Sequence, residues 1–420
     1  MANLSGLLKQ RYGKFVNVIP SDDSICRYGK FISQEYREGE SYQVPIQLTN
    51  EHGVTFDVTN DAYTLAAARD AVTALAAING ANIEMIATIS WAMIAKMGNG
   101  QGASAYQGLD FKMISLMSSA EHYREVLTMY GGGSAVTTLG NIGVVNAIIS
   151  GSNFAGPIVL NFTRATWAAG IWSSMINGLV DVYQSDGATI RESSVIVTAA
   201  DHTKCRLTLT KSGSSVLPVA GDIVMVAGSH AKSCYGLQAI MENTGTLFGI
   251  SAATYPSWKC HTYSAGTAGL TRAKILAMAG QLYPNGGRDG GKLFVSGVSF
   301  ADLAEEADAL QRFTGNTDET KRQGANALEF KSPIGTITVQ VHGKMKQGHA
   351  MYLASGNFQR VGASEITTNL PGTNRFFYAE LTGNSGSQVG VFTNQAPFLS
   401  VPYQCAQITA IQNSADATPS

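Results

Sequence analysis

Residues 42–58 read YQVPIQLTNEHGVTFDV, and residues 61–98 read DAYTLAAARDAVTALAAINGANIEMIATISWAMIAKMG. In the first stretch Tyr42, Val44, Ile46 and Leu48 alternate with other residues, Asn50-Glu51-His52-Gly53 supplies a turn, and Val54, Phe56 and Val58 alternate again. That spacing predicts a β-hairpin that turns at Gly53, a residue free to adopt positive φ. Glu35, Arg37, Glu38 and Glu40 precede it, so the hairpin is expected to project into solvent rather than line its own subunit's core. In the second stretch Asp61 is placed to N-cap a helix over 62–97 that stops at Gly98. Leu65, Val72, Leu75, Ile86, Ile89 and Met93 fall on one helical stripe. At about 1.5 Å per residue this helix would be roughly 50 Å long, a strut rather than an ordinary globular helix.

Working outward, residues 1–30 mix Gly, Lys, Arg and short apolar pieces and read as an extended arm. Further helices are predicted over 110–130, ending at Gly131-Gly132-Gly133, and over 167–183, 270–283 and 299–313, the last with Ser299 and Asp302 as a capping box. Period-two patterning marks strands at 206–210, 221–226, 293–296, 337–341, 389–392 and 404–411. The fold class read from this order is α+β, with a long strut helix, several sheets, a β-rich insertion near 190–265 and projecting arms.

The chain has 420 residues, 45% hydrophobic and only 14% charged, with a net charge of −1. Soluble chains average about 25% charged. Near-zero net charge favours association, so a surface this poor in charge suits a subunit covered by copies of itself. The balance argues against a basic nucleic-acid reader, and any DNA contact is expected to be nonspecific. The uncharged runs around Val72 to Met97 fall short of the roughly 20 apolar residues that span a bilayer, so no membrane partner is expected. The N-terminus lacks the apolar core and cleavage site of a secretory signal. Five scattered cysteines without a CxxC pattern read as reduced thiols.

No catalytic, cofactor-binding or metal-ligating residue stands out. Residues 286–292, GGRDGGK, match the spacing of a phosphate loop, but Leu293 replaces the magnesium-binding hydroxyl, and a helix precedes where a strand is needed. Residues 98–102, GNGQG, follow a predicted helix and read as a linker. The seven histidines show neither HExxH nor His-x-His spacing, and residues 383–387, GNSGS, miss the nucleophile elbow by one position.

The assembled order resembles the major capsid proteins of tailed double-stranded-DNA bacteriophages, with the Hong Kong 97-like fold. The segments that carry the resemblance include residues 121–131 (EHYREVLTMYG), Thr166-Trp167-Ala168-Ala169-Gly170-Ile171-Trp172, residues 236–240, 247–250 and 255–258, and residues 347–353 and 360–363. The resemblance implies an N-terminal arm at 1–30, an extended loop at 31–60 and a peripheral domain at 61–150 with the spine helix over 62–97. It further implies an axial domain at 151–345 and a return to the peripheral sheet with a C-terminal tail at 346–420. It implies a structural, non-enzymatic subunit that assembles with itself into pentamers and hexamers of an icosahedral shell around DNA. A separate scaffolding protein, a portal and a decoration protein are the implied partners. The subunit would be made in the bacterial host cytoplasm and end in the virion capsid. Alternatives are an encapsulin-type nanocompartment shell or a hydrolase-class enzyme with a non-local site. Some members cross-link covalently through a loop lysine. Residues 31–61 contain none, and Lys30 sits at the predicted hairpin base, so a non-covalent shell is expected.

Overall fold

The computed structural model describes residues 24–32, 41–56, 65–90, 103–134, 138–314, 327–369, 378–380 and 386–413. Its longest helix is Ala103–Tyr130, 28 residues that run to the Gly131-Gly132 pair. The sequence reading found the end of this helix but not its first two turns, and it placed the long strut too early.

Over the described part of the range, residues 65–90, the helix expected over 62–97 is not formed. Thr73–Ile78 and Ala81–Ser90 are strands, and Asp61 lies outside the described residues. The alternation is visible once the strands are known. Ala74, Ala76 and Ile78 turn inward while Thr73, Leu75 and Ala77 are exposed, and Asn82, Glu84, Ile86 and Thr88 are exposed between more covered neighbours. Alanine-rich strands carry little β-propensity, and what decides the matter is pairing. Ala81–Ser90 runs antiparallel to Gly386–Gln395, from Ala81 opposite Gln395 to Ser90 opposite Gly386. With Lys30–Phe31, Phe358–Thr367 and Tyr378–Glu380 these form a five-stranded sheet. The long helix packs on it through Leu116 and Ala120 against Met85, Ala87 and Val391.

The hairpin also returns later than its sequence suggested. Tyr42–Gln47 pairs with Thr73–Ile78, not with 54–58, in a register that sets Tyr42 opposite Ile78, Val44 opposite Ala76 and Ile46 opposite Ala74. Those inward residues join Phe248, Trp258 and Phe398 in one apolar cluster, which anchors the base of the hairpin.

Six strands between Gly143 and Val226 close into a barrel, in the order Ile223–Val226, Gly143–Ser150, Ile158–Phe162, Arg206–Thr210, Ile190–Asp201, Leu179–Tyr183 and back to Ile223–Val226. The β-rich insertion thus begins and ends earlier than the predicted 190–265, because His261–Ala268 belongs to another sheet. The helix expected over 167–183 is a short Ala169–Ser173 helix followed by the barrel strand Leu179–Tyr183. Asn177, with φ of 66°, breaks the run, and the Leu-Val-Asp-Val-Tyr pattern then favours extended pairing.

A mixed six-stranded sheet completes the molecule, ordered His261–Ala268, Ala406–Ile411, Ala350–Ala354, Gly291–Val295, Gly335–Val341, Ala327–Ser332. Helices Arg272–Leu282 and Gly297–Thr314 accompany it. Thr271 caps the first, its hydroxyl accepting from the Lys274 N–H. The second is capped by Ser296, whose Oγ accepts from the Ser299 N–H at 3.2 Å, so the cap lies three residues before the expected Ser299. The barrel and this sheet share one continuous buried core that includes Phe162, Trp167, Trp172, Leu293, Phe294 and Met345.

Candidate assembly surfaces

The hairpin divides into an anchored base and a bare tip. Beyond the paired strands, His52 and Arg69 exchange backbone hydrogen bonds at 2.9 Å, and the Thr55 hydroxyl accepts from the Ala66 N–H. Val54 is 66% exposed, Phe56 91% and Leu65 74%. Apolar side chains this bare, grouped at the end of a projection, mark an interaction surface. On the outer edge of Tyr42–Gln47, Pro45 has no N–H to offer, which discourages an added strand along the base. The whole projection is free of lysine, since the first one after Lys30 is Lys96.

Of the extended arm expected over 1–30, residues 1–23 lie outside the described residues, and the described part begins as a short helix that Glu125 holds. Its Oε1 accepts from the Ile25 N–H at 3.0 Å and its Oε2 from the Cys26 N–H at 3.2 Å, at the start of the short helix Ser24–Tyr28. Oε1 also accepts from His342 Nε2 at 3.0 Å, and both side chains are fully buried. Burial alone would raise the carboxyl pKa, but hydrogen bonds from His342 and Cys26 and the charge of Lys344 hold it below its ordinary range. Downstream, Lys30–Phe31 adds a parallel strand beside Gln359 and Arg360, and Arg360 Nε donates to the Gly29 carbonyl at 3.0 Å.

Residues 342–349, HGKMKQGH, form the turn on which these parts converge. Tyr130 Oη donates to the Lys344 carbonyl at 2.8 Å and accepts from the Lys346 N–H at 3.0 Å. The turn's backbone also bonds to Ala165, Trp167 and Gly170 of the barrel segment. His342, Lys344 and Lys346 are all buried, and sequence reading passed over them because lysine is ordinarily exposed. The buried Glu125 in the long helix was missed for the same reason.

A cleft of about 600 Å³ opens between the edge strand Ala81–Ser90, the long helix and the barrel, lined by Ile83, Met85, Tyr123, Leu127, Leu179 and Lys232 among others. Glu84, Ser229 and Ser233 line it too, but the Ser229 hydroxyl donates to the Val226 carbonyl and the Ser233 hydroxyl accepts from the Gly132 N–H, so neither serine is engaged by an acid or base of the cleft. Residues 286–292 make a turn, not a phosphate cradle. A Cβ on Gly290 would lie 2.3 Å from the Thr336 carbonyl oxygen, and Lys292 Nζ donates to Gln340 Oε1 and lies over the Tyr28 ring. Residues 98–102 and Asn384 lie outside the described residues. The histidines are dispersed: His52 on the hairpin, His122 and His342 in the core, and His230 stacked on Tyr183. Among the described residues no three His, Cys, Asp or Glu side chains could hold a metal ion together, and all five cysteines are buried thiols outside any disulfide. No helix among them is long and apolar enough to cross a membrane.

No protein-family model matches the chain, and no curated protein matches its sequence. Solved structures do match. The capsid asymmetric unit of cyanophage A-1(L) is 12% identical with a TM-score of 0.57, over 97% of this chain and 98% of that one. The capsid of a native GTA particle is 8% identical with a TM-score of 0.49, over 97% of each chain. The holo-SrpI encapsulin complex from Synechococcus elongatus is 7% identical with a TM-score of 0.41, over 98% of this chain and 100% of that one. The likeness to the cyanophage subunit, end to end, shows the class of the fold. The chain has the α+β Hong Kong 97-like architecture of tailed-phage capsid proteins.

Proposed function

We propose that this chain is the major capsid subunit of a tailed double-stranded-DNA phage, closing as pentamers and hexamers into an icosahedral shell. The observation that carries the reading is the hairpin tip. Val54, Phe56 and Leu65 are bare on a subunit of capsid fold, and the base that holds them out is firmly packed. In this reading the extended loop is the Tyr42–Gln47 and Thr73–Ile78 hairpin with its tip, and the arm is the segment fastened by Glu125. The long helix with the five-stranded sheet makes the peripheral domain, the mixed sheet makes the axial domain, and the barrel is an inserted module. The subunit acts structurally, in the virion, after synthesis in the host cytoplasm. Scaffolding, portal and decoration proteins are its partners, and packaged DNA is met weakly and without sequence preference, as a net charge of −1 allows. The lysine-free projection goes with a non-covalent shell, which should give one band near 44 kDa after boiling in denaturant and reductant.

Electron microscopy and sedimentation of the purified protein, with and without its scaffolding protein, test the proposal. Closed shells built of five- and six-fold capsomers are expected. A monomer at every concentration and salt would overturn it, and native particles filled with an enzyme cargo and free of DNA would transfer the fold to a nanocompartment.

A further inference from the structure

The chain holds four Asn-Gly pairs, at 79–80, 99–100, 177–178 and 285–286, and the second lies outside the described residues. Asparagine is among the chemically labile residues, and glycine, which has no side chain, leaves its own nitrogen open to the Asn Cγ before it. Attack by that nitrogen needs two freedoms. The glycine N–H must not be committed to an acceptor, and the Asn side chain must be able to turn back over its own main chain.

The three described pairs differ in both respects. Gly178 N–H donates to the Met175 carbonyl at 2.8 Å, and the main chain of Asn177 is itself held by the Val197 carbonyl at 2.7 Å. Gly286 N–H donates to the Tyr283 carbonyl at 3.2 Å, and Asn285 Nδ2 is held by His261 Nε2 and by the Tyr403 carbonyl at 3.3 Å. Asn79 is exposed, and neither its side chain nor the Gly80 N–H has a hydrogen-bond partner among the described residues.

This pair is the whole link between the hairpin strand Thr73–Ile78 and the sheet strand Ala81–Ser90. Before it, Ile78 stands opposite Tyr42 and is buried in the cluster at the hairpin base; after it, Ala81 stands opposite Gln395. A Cβ on Gly80 would collide with the Asn394 amide oxygen, and Asn394 Nδ2 donates to the Gly80 carbonyl at 3.4 Å. Packing thus demands at position 80 the residue that leaves Asn79 most open to attack.

We propose that Asn79-Gly80 is a self-modifying joint at the root of the hairpin. The Gly80 nitrogen gives its proton to solvent base and bonds to Asn79 Cγ, the Cγ–Nδ2 bond breaks, and the side-chain nitrogen leaves as ammonia, which closes a succinimide. Water then opens the ring at one carbonyl to give aspartate or at the other to give isoaspartate, and neither step needs an oxidant or a reductant. Either product adds a negative charge. In isoaspartate the main chain runs through the former side chain and is longer by a methylene, so a link fastened at both ends gains slack.

The inference does not depend on the shell reading. The purified full chain is aged in mildly alkaline buffer and cut at Arg69 and Lys96, and mass spectrometry with fragmentation follows residue 79 in the peptide 70–96, with isoaspartyl methyltransferase marking isoaspartate. Asn79 is expected to convert ahead of Asn177 and Asn285, and faster in alkaline than in acid buffer. Unfolding in urea should remove the difference among the three. Asn79→Gln, which cannot close the same five-membered ring, should lose the methyl acceptance of this peptide. Hydrogen exchange across 73–90 of the folded chain should rise with the converted fraction and stay at its starting level in Asn79→Gln. Asn177 or Asn285 converting as fast as Asn79 in the folded chain, or an Asn79 that stays an amide there while it converts in urea, would overturn the site. Conversion that leaves the exchange unchanged would overturn the joint.

Discussion

The barrel and the hairpin are both antiparallel and both rich in aliphatic residues, yet they dispose of those residues in opposite ways. In the barrel every edge is paired, since Ile223–Val226 bonds to Gly143–Ser150 on one side and Leu179–Tyr183 on the other. Val180, Val182, Val195, Val197, Leu207 and Leu209 are fully buried inside it. The hairpin buries only the inward side of its base and carries Val54, Phe56 and Leu65 outward. Closure makes apolar residues serve their own subunit. An open projection leaves them bare.

The comparison predicts a graded series on subunit stability. Trp172→Ala should cost most, about 3–5 kcal/mol, because Trp172 is fully buried with ring centroids 5.8 Å from Trp167 and 5.6 Å from Phe162; chemical denaturation reads it directly. Glu125→Gln should cost about 1–3 kcal/mol, since the amide cannot accept all three hydrogen bonds that the carboxylate holds. Proteolysis near Ser24–Tyr28 should accelerate in that variant, and an unchanged cleavage rate would show that the arm is held elsewhere.

The same carboxylate sets an acid limit. Its folded pKa lies below the ordinary 4.5, so its contribution is complete above that value and disappears as pH falls below it through the folded value. Thermal denaturation at descending pH should show this loss in the native protein and not in Glu125→Gln. Thr271→Ala should cost about 1 kcal/mol through loss of a helix cap. Phe56→Ser should change subunit stability least, by less than about 0.5 kcal/mol, while shell yield falls sharply. If Phe56→Ser destabilised the lone subunit as much as Trp172→Ala, the division between closed and projecting strands would be wrong.

Sequence periodicity served best where the partner strand or packing face lies near in the chain, or where branched residues dominate. Arg272–Leu282, Gly335–Val341 and Ala406–Ile411 fall close to their expected places. Thr73–Ile78 and Ala81–Ser90 did not, because alanine fits either period and the strand that decides between them is distant. Pro45 and Leu75 face each other across the hairpin, and nothing local to either names the other. Barrel closure depends on Ile223–Val226 pairing with Leu179–Tyr183, a long-range register invisible in composition. The 342–349 turn was unreadable as a junction, because its two lysines and His342 are buried through contacts with residues more than 100 positions away.

The pairing of Ala81–Ser90 with Gly386–Gln395 sets a timetable for synthesis. Asn394 Nδ2 bonds to the Gly80 carbonyl across 314 residues. At roughly 5–20 residues per second on the ribosome, the earlier strand waits about 15–60 s for its mate. The barrel, complete at Val226, has all its strands long before that. A still-growing chain therefore lacks the complete sheet against which the long helix packs until translation is nearly finished.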